Sequence, residues 1–378
     1  MAADELRPQP TPAPASAFDS GPQPDRVEVA APAKINLSLL VGPRRSDGFH
    51  EVFSLMLPVT LADLVTLRPA PDGAGLSVTS EVAPGEDNLA ARLVRELERR
   101  LGRSFDVTIE IAKSVPAGAG LGGGSSDAAA ALIGLERLYG FELPVKLRYE
   151  VASEVGSDVP FFLWPGPQLS MGRGTVLKDV SLPAPLHIVL ALPGLHVATA
   201  AAYGWFDEGG LPERRAFAER TQWLLTGLRG AVRPRDLAGL VTNDLQAPVV
   251  ARHPEIGALV ERLREAGAYA AAMSGSGSSV FGLFASAASA QRALAALAPT
   301  TAVYATDLQP AEEGTPARAG GGESESAERE GTAPAGDARG GQSETTSPGG
   351  TGLGQRPPGR RSEPPRGSSR RRRPGNPR

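Results

Sequence analysis

The stretch Lys113-Ser-Val-Pro-Ala-Gly-Ala-Gly-Leu-Gly-Gly-Gly-Ser-Ser-Asp127 constrains this chain more than any other. An alternating run (Val107, Ile109, Ile111) leads into it, and an Ala-rich helical pattern through Leu132, Leu135 and Leu138 follows. The period changes from two to 3.6 across the glycines, so a strand enters the loop and a helix leaves it. Such a loop gathers backbone N–H groups, and the helix start adds unpaired donors and a partial positive charge. The expected ligand is phosphate. Ser125 and Ser126 stand where a helix N-cap belongs, a role compatible with phosphate contact.

Several phosphate loops can be compared with it. A P-loop needs Lys-Ser/Thr after its last glycine, and no Lys follows here. Gly118, Gly120 and Gly123 satisfy the dinucleotide pattern Gly-x-Gly-x-x-Gly, but that fold requires a parallel strand after the helix. Instead the helix ends near Tyr139-Gly140 and a second helical pattern follows (Leu147, Val151, Val155). A flexible glycine turn without a ligand is the plainest alternative.

The 378 residues are not all foldable. Residues 1–27 are rich in Pro and Ala without hydrophobic periodicity, and they lack the basic start and apolar core of a secretory signal. From Ala311 to Arg378 the chain has no aromatic residue and one large aliphatic, Leu353. Neither end can bury enough apolar surface to offset its ordering entropy, so both are expected to be disordered. Arginines gathered late in the tail (Arg360, Arg361, Arg366, Arg370 to Arg373) suggest at most a weak polyanion contact, with RNA or DNA. The remaining ~280 residues suit one large or two moderate domains. There is no cysteine, no run of 18 apolar residues, and a net charge of −3. Disulfides, cysteine metal sites and a membrane-spanning helix are thereby excluded, and a cytoplasmic protein is expected.

Residues 28 to 42 read as a strand pair carrying Lys34 and Asn36. Helical spacing at Leu89, Leu93, Leu97 and Leu101 stops at Gly102. An apolar strand, His187 to Leu192, runs into the turn Pro193-Gly194. A helix after Pro254 carries Ile256, Leu259, Val260 and Leu263 and closes at Gly267. Two apolar strands then flank a second glycine turn within Ala270–Phe284, before a helix from Ser289 to Leu297 and a strand from Ala302 to Leu308. Strands and helices intermix without regular alternation, which predicts an α+β fold.

Four separated segments together resemble the GHMP kinases. They are Ala31-Pro-Ala-Lys-Ile-Asn-Leu37 with Arg45-Ser-Asp-Gly-Phe-His50, the loop 113–127, Gly156-Ser-Asp-Val-Pro-Phe-Phe162, and Met273-Ser-Gly-Ser-Gly-Ser-Ser-Val-Phe281. The resemblance spans about 28 to 310 and is most specific for the branch that phosphorylates a cytidine-diphosphate-bearing methylerythritol in non-mevalonate isoprenoid synthesis. It implies two lobes, 28–168 like ribosomal protein S5 domain 2 and 169–310 ferredoxin-like, flanked by the extensions 1–27 and 311–378. It also implies transfer of the ATP γ-phosphate to a 2-hydroxyl.

The same resemblance implies roles. Phosphoryl transfer needs a positioned hydroxyl and electrostatic stabilisation. Lys34 and Asp158 would be the catalytic pair, Asp158 accepting or orienting the hydroxyl proton and Lys34 holding that carboxylate ionised or polarising the hydroxyl. Taken alone, Lys34 reads as a strand-edge charge and Asp158 as a cap before Pro160. Pro116, Ala117, Gly118, Ala119, Gly120, Leu121, Gly122, Gly123, Gly124, Ser125 and Ser126 would cradle the ATP phosphates, with Asn88 and Lys113 at the adenine. Phe49, where the family commonly has Tyr, and His50 would hold the cytosine, Tyr203 would stand opposite it, and Thr199 and Asn36 would contact substrate. Mg2+ is implied; Ser125 or Ser126 is a possible ligand, and no firm carboxylate ligand is legible beyond Asp158. Oligomeric state is not legible. A kinase for another small alcohol, or a nucleotide- or polyanion-binding protein without turnover, remain alternatives.

Overall fold

The computed structural model describes residues 24–299 and 301–308. The expectations for the two extensions fall outside them, except that Val27 already opens the first strand. The first half holds β1 (Val27–Arg44), β2 (His50–Pro69), β3 (Leu76–Ser80), α1 (Leu89–Leu101), β4 (Val107–Ala112), α2 (Gly123–Tyr139), α3 (Val145–Val155), β5 (Gln168–Gly172) and β6 (Val176–Asp179). The second holds β7 (His187–Leu192), α4 (Thr199–Glu208), α5 (Arg214–Gly230), β8 (Thr242–Asn243), α6 (Gln246–Val250), α7 (Pro254–Glu265), β9 (Ala270–Met273), β10 (Val280–Phe284), α8 (Ala287–Leu297) and β11 (Ala302–Asp307).

The expected strand pair over 28–42 is a single long strand, β1, whose antiparallel partner is β2. Pro32 lacks an N–H and cannot continue the ladder, so pairing jumps from Pro32–Ala62 to Ala33–Val59. That bulge moves β1 from one core to another. Val27, Val29 and Ala31 pack beneath α1 and α2, whereas Ala33, Ile35 and Leu37 pack toward the second half of the chain. A bulge that redirects side chains next to a functional strand is common.

The first sheet runs β3-β4-β2-β1-β8, with β5 pairing a further stretch of β2 and β6 pairing β5. The expected lobe boundary at 168/169 falls at the start of β5, which continues this sheet. The second sheet is antiparallel in the order β11-β7-β10-β9. In chain order its elements read β7-α7-β9-β10-α8-β11, with the sheet order 4-1-3-2. This is the split βαβ arrangement of a ferredoxin-like domain. The mixed sheets and helices make the protein α+β, as its sequence predicts.

α1 ends at Gly102 (φ 65°) and α2 at Gly140 (φ 66°), both left-handed glycine caps at the predicted positions. The start of α2 differs from expectation. Its N-cap is Gly122 (φ 75°), and no side chain caps it. Ser125 and Ser126 lie inside the first turn, because the glycine alone turns the chain directly into the helix.

Candidate active site

Lys34 is the meeting point. It lies on β1 and is 6% exposed. Its backbone N–H donates to Leu121 O at 2.9 Å, stitching the strand to the glycine loop. A Cβ on Gly122 would approach Lys34 Cγ to 3.1 Å and Phe162 Cζ to 2.9 Å. A Cβ on Gly275 would come within 3.5 Å of Lys34 Nζ. The four segments singled out in the sequence therefore converge on one side chain. Lys34 Nζ stands 3.8 Å from Asp158 Oδ2, and the Asp158 side chain is 42% exposed. A buried ammonium thus faces an accessible carboxylate at the edge of the loop.

Asn36 sets that ammonium. Lys34 Nζ donates to Asn36 Oδ1 at 2.8 Å, Asn36 Nδ2 donates to Ser54 Oγ at 2.8 Å, and Ser54 Oγ donates to Ser38 O at 2.8 Å. The Asn36 backbone N–H donates to Ser274 Oγ at 3.1 Å. Expected as a substrate contact, Asn36 spends its side chain on Lys34 and Ser54. Ser274 belongs to the second glycine segment, whereas Ser54 is missed by sequence reasoning, since an isolated serine in an apolar run carries no spacing signal.

A cavity of about 240 Å³ is lined by Asn88, Lys113 and the loop from Pro116 to Gly124. Of the residues expected at the nucleotide, Asn88, Lys113 and Pro116 to Gly124 are neighbours around this cavity, whereas Ser125 and Ser126 do not line it. Gly118, Gly120 and Gly122 alternate through positive φ, which turns successive N–H groups toward one side. Asn88 also caps α1, its Oδ1 accepting from the Ala90 N–H at 2.9 Å. Ser126 is 1% exposed and its Oγ has no hydrogen-bond partner.

Lys113 is more engaged than expected. Its Nζ lies 2.5 Å from Asp63 Oδ2 and 2.7 Å from Asp127 Oδ2. Burial works to lower its pKa, but the hydrogen bonds to Asp127 and Asp63 outweigh it and raise the ammonium above its ordinary value. Burial pushes the Asp127 carboxyl up; Lys113 opposes this and Asp63 adds to it. Asp63 escaped sequence reasoning because it interrupts an otherwise apolar strand far from the loop.

His50 is 7% exposed. Its ring stacks on Tyr203 (centroids 5.3 Å apart, planes at 29°) and meets the edge of Phe206. Nδ1 lies 3.0 Å from Gly42 O, and Nε2 lies 3.0 Å from Asp207 Oδ1. Burial, followed by the charge of Asp158, pushes the Tyr203 phenol up to about 12. Tyr203 is thereby tied electrostatically to the Asp158 carboxylate. Thr199 Oγ1 lies 3.1 Å from Ser276 Oγ, joining α4 to the second glycine turn. Phe49 stands apart: it is 57% exposed, with the Arg173 guanidinium 5.6 Å over its ring.

Among the described residues, no group of three His, Asp or Glu side chains is placed to hold a metal ion, and no helix is long and apolar enough to cross a membrane.

Comparison with known proteins agrees with this geometry. Residues 88–166 match the GHMP kinases N terminal domain, and residues 230–301 match the GHMP kinases C terminal family. The chain is 45% identical over 265 residues to a 4-diphosphocytidyl-2-C-methyl-D-erythritol kinase from Anaeromyxobacter dehalogenans, covering 68% of this chain and 81% of the relative. It is 40% identical over 274 residues to the Gloeobacter violaceus protein of the same name, covering 72% and 90%. A crystal structure of 4-(cytidine 5'-diphospho)-2C-methyl-D-erythritol kinase superposes with a TM-score of 0.63 at 35% identity, over 75% of this chain and all of that one. Homoserine kinase from Cytophaga hutchinsonii shares the fold alone (TM-score 0.60, 22% identity, 77% and 97% covered). With its motifs converging on Lys34 and this degree of identity, the chain belongs to the GHMP kinases and, within them, to the 4-diphosphocytidyl-2-C-methyl-D-erythritol kinase family.

Proposed function

We propose that this protein transfers the γ-phosphate of ATP to the 2-hydroxyl of 4-diphosphocytidyl-2-C-methyl-D-erythritol, a step of non-mevalonate isoprenoid precursor synthesis in the cytoplasm. The observation that carries the reading is the Lys34 Nζ–Asp158 Oδ2 pair, 3.8 Å apart, at the mouth of the glycine loop. Asp158 is the exposed partner and accepts the hydroxyl proton as the alcohol attacks the γ-phosphorus. Lys34, fixed by Asn36, keeps that carboxylate charged and meets the charge developing on the transferring group. The loop N–H groups hold the leaving diphosphate, and ADP departs without a covalent enzyme intermediate.

The cytidine diphosphate end would lie along β1, α4 and the turn that carries Phe49 and His50. Phe49 offers a stacking face without the usual Tyr hydroxyl. His50 and Tyr203 already form an ordered aromatic wall, and Thr199 borders it. The Mg2+ of a kinase supplies charge neutralisation on the phosphates. It would arrive with ATP and retain waters, because the residues offer scattered oxygens rather than a cage. The unpartnered Ser126 Oγ and the Asp158 carboxylate are the donors that fit it.

The test is ADP release by the purified protein with Mg-ATP and the cytidylylated alcohol, with Asp158→Asn as control. Turnover lost in the variant supports substrate and site together. A folded, ATP-binding protein without turnover would move the assignment to another small alcohol, identified with a substrate panel.

A further inference from the structure

Asp63 belongs to none of the recognised motifs, yet it bonds directly to the residues that lead into the glycines. It sits on β2 and is 1% exposed. One oxygen, Oδ1, accepts two backbone N–H groups, from Ser114 at 2.6 Å and from Val115 at 2.7 Å. These are the last two N–H groups before Pro116, which has none to offer. The other oxygen, Oδ2, receives Lys113 Nζ at 2.5 Å.

Lys113 in turn reaches Asp127 Oδ2 at 2.7 Å, and Asp127 is 2% exposed in the first turns of α2. Lys113 precedes the loop and Asp127 follows it, so their ion pair closes the loop at its base. Asp63 fastens that closure to β2. The three side chains tie together a strand end, a neighbouring strand and a helix start, which are the elements that the loop must hold in register to present its N–H groups. The closure is tight, since a Cβ on Gly123 would lie 3.3 Å from Lys113 Nζ. A buried carboxylate saturated by two amides and an ammonium is held by charge-assisted bonds, and losing one partner strands the others away from water.

We propose that Asp63, acting through Lys113 and Asp127, is a positioning residue for the nucleotide: it sets the shape of the phosphate-binding loop and hence the affinity for ATP, without touching ATP or the alcohol. The inference rests on the kinase reading above. It differs from a purely structural role in what it predicts. A residue that merely holds the fold would weaken both substrates together, whereas a loop clamp acts on ATP alone.

The experiment measures the Kd of Mg-ATP by direct titration of the full chain, the KM of the alcohol by steady-state kinetics, and amide hydrogen exchange across 113–127. The variants are Asp63→Asn and Asp127→Asn. Asp63→Asn keeps an acceptor for the two N–H groups but sets an amide against the ammonium. It is expected to weaken Mg-ATP about tenfold, the size of one charge-assisted hydrogen bond. The alcohol KM should stay within about twofold and loop exchange should quicken. Asp127→Asn, which leaves the Asp63–Lys113 pair intact, is expected to weaken Mg-ATP by about threefold with the same selectivity. It keeps the proposal testable if Asp63→Asn does not fold. An unchanged Kd for Mg-ATP in Asp127→Asn and in folded Asp63→Asn, or an equal loss for both substrates, overturns the proposal. Wild-type protein that fails to bind Mg-ATP would instead sink the kinase reading.

Discussion

A methyl group on Gly120 would lie 2.6 Å from the carbonyl oxygen of Gly277. The first glycine loop and the second glycine turn, 157 positions apart in sequence, therefore touch backbone to backbone. Gly120 also has φ of 74°, where an L side chain is strained. Gly120→Ala combines both penalties. Gly140→Ala, with φ of 66° and open space around it, carries only the conformational one. We expect Gly140→Ala to cost about 1 kcal/mol, seen as a small fall in Tm, with normal kcat. Gly120→Ala should lower Tm further and abolish most turnover. Equal Tm shifts and equal activity in the two variants would show that the seam yields without cost.

Asp158 and Lys34 should separate in their effect on stability while agreeing in their effect on rate. The Asp158 side chain is 42% exposed and the Lys34 side chain only 7%. Asp158→Asn is expected to keep its Tm and lose turnover by about 10²–10⁴, the span of general base catalysis. Lys34→Met should lose turnover as severely and also lose about 1–3 kcal/mol, because Asn36 Oδ1 is left buried without a donor. Kinetics beside thermal unfolding decides it. Wild-type rates in either variant would contradict the catalytic assignment.

Much of this was legible because the chemistry of the loop is written in consecutive residues. The glycine run, its strand and its helix fall where their periodicity predicts, and the caps at Gly102 and Gly140 need no tertiary information. The 4-1-3-2 sheet was partly visible through the apolar strands around Pro193-Gly194 and the second glycine turn. What escaped is what only packing creates. β2 is buried on both faces over Val52–Val59, so it shows no period of two to mark it as a strand. α5 has a single fully buried residue, Leu224, and its remaining contacts fall on partly buried Phe217, Leu225 and Leu228. Asp63 and Ser54 sit inside apolar runs, and their partners Lys113 and Asn36 lie 50 and 18 positions away in sequence. No local pattern announces a side chain whose purpose is to hold another one.

Ser54 offers a sharper test of that last point. It receives Asn36 Nδ2 and passes a hydrogen bond to Ser38 O, so it supports Lys34 from two residues away. Ser54→Ala leaves the Asn36 amide with a buried, unsatisfied N–H, at a cost of about 1–3 kcal/mol. Freed from Ser54, Asn36 holds Lys34 less firmly. We expect kcat to fall by about threefold to tenfold while the KM of both substrates changes little. Steady-state kinetics is the measurement, and a change confined to KM would assign Ser54 to binding instead.

The pairing of Tyr203 with Asp158 yields a prediction in alkaline solution. Burial and the Asp158 charge hold the Tyr203 phenol up at about 12, above the ordinary tyrosine value. The folded protein thus keeps a proton that the unfolded chain releases at lower pH. Its contribution to stability is complete below about pH 10 and is lost as pH rises toward 12. Removing the second cause should move the phenol. In Asp158→Asn, Tyr203 should ionise at lower pH than in wild type, and the alkaline loss of stability should begin later relative to that ionisation. Ultraviolet difference titration, with Tyr203→Phe subtracted to remove the other four of the five tyrosines, isolates the signal. A midpoint unmoved by Asp158→Asn would mean that α4 does not bring its aromatic face within the field of Asp158, and the proposed cytidine wall would have to be sought on another element.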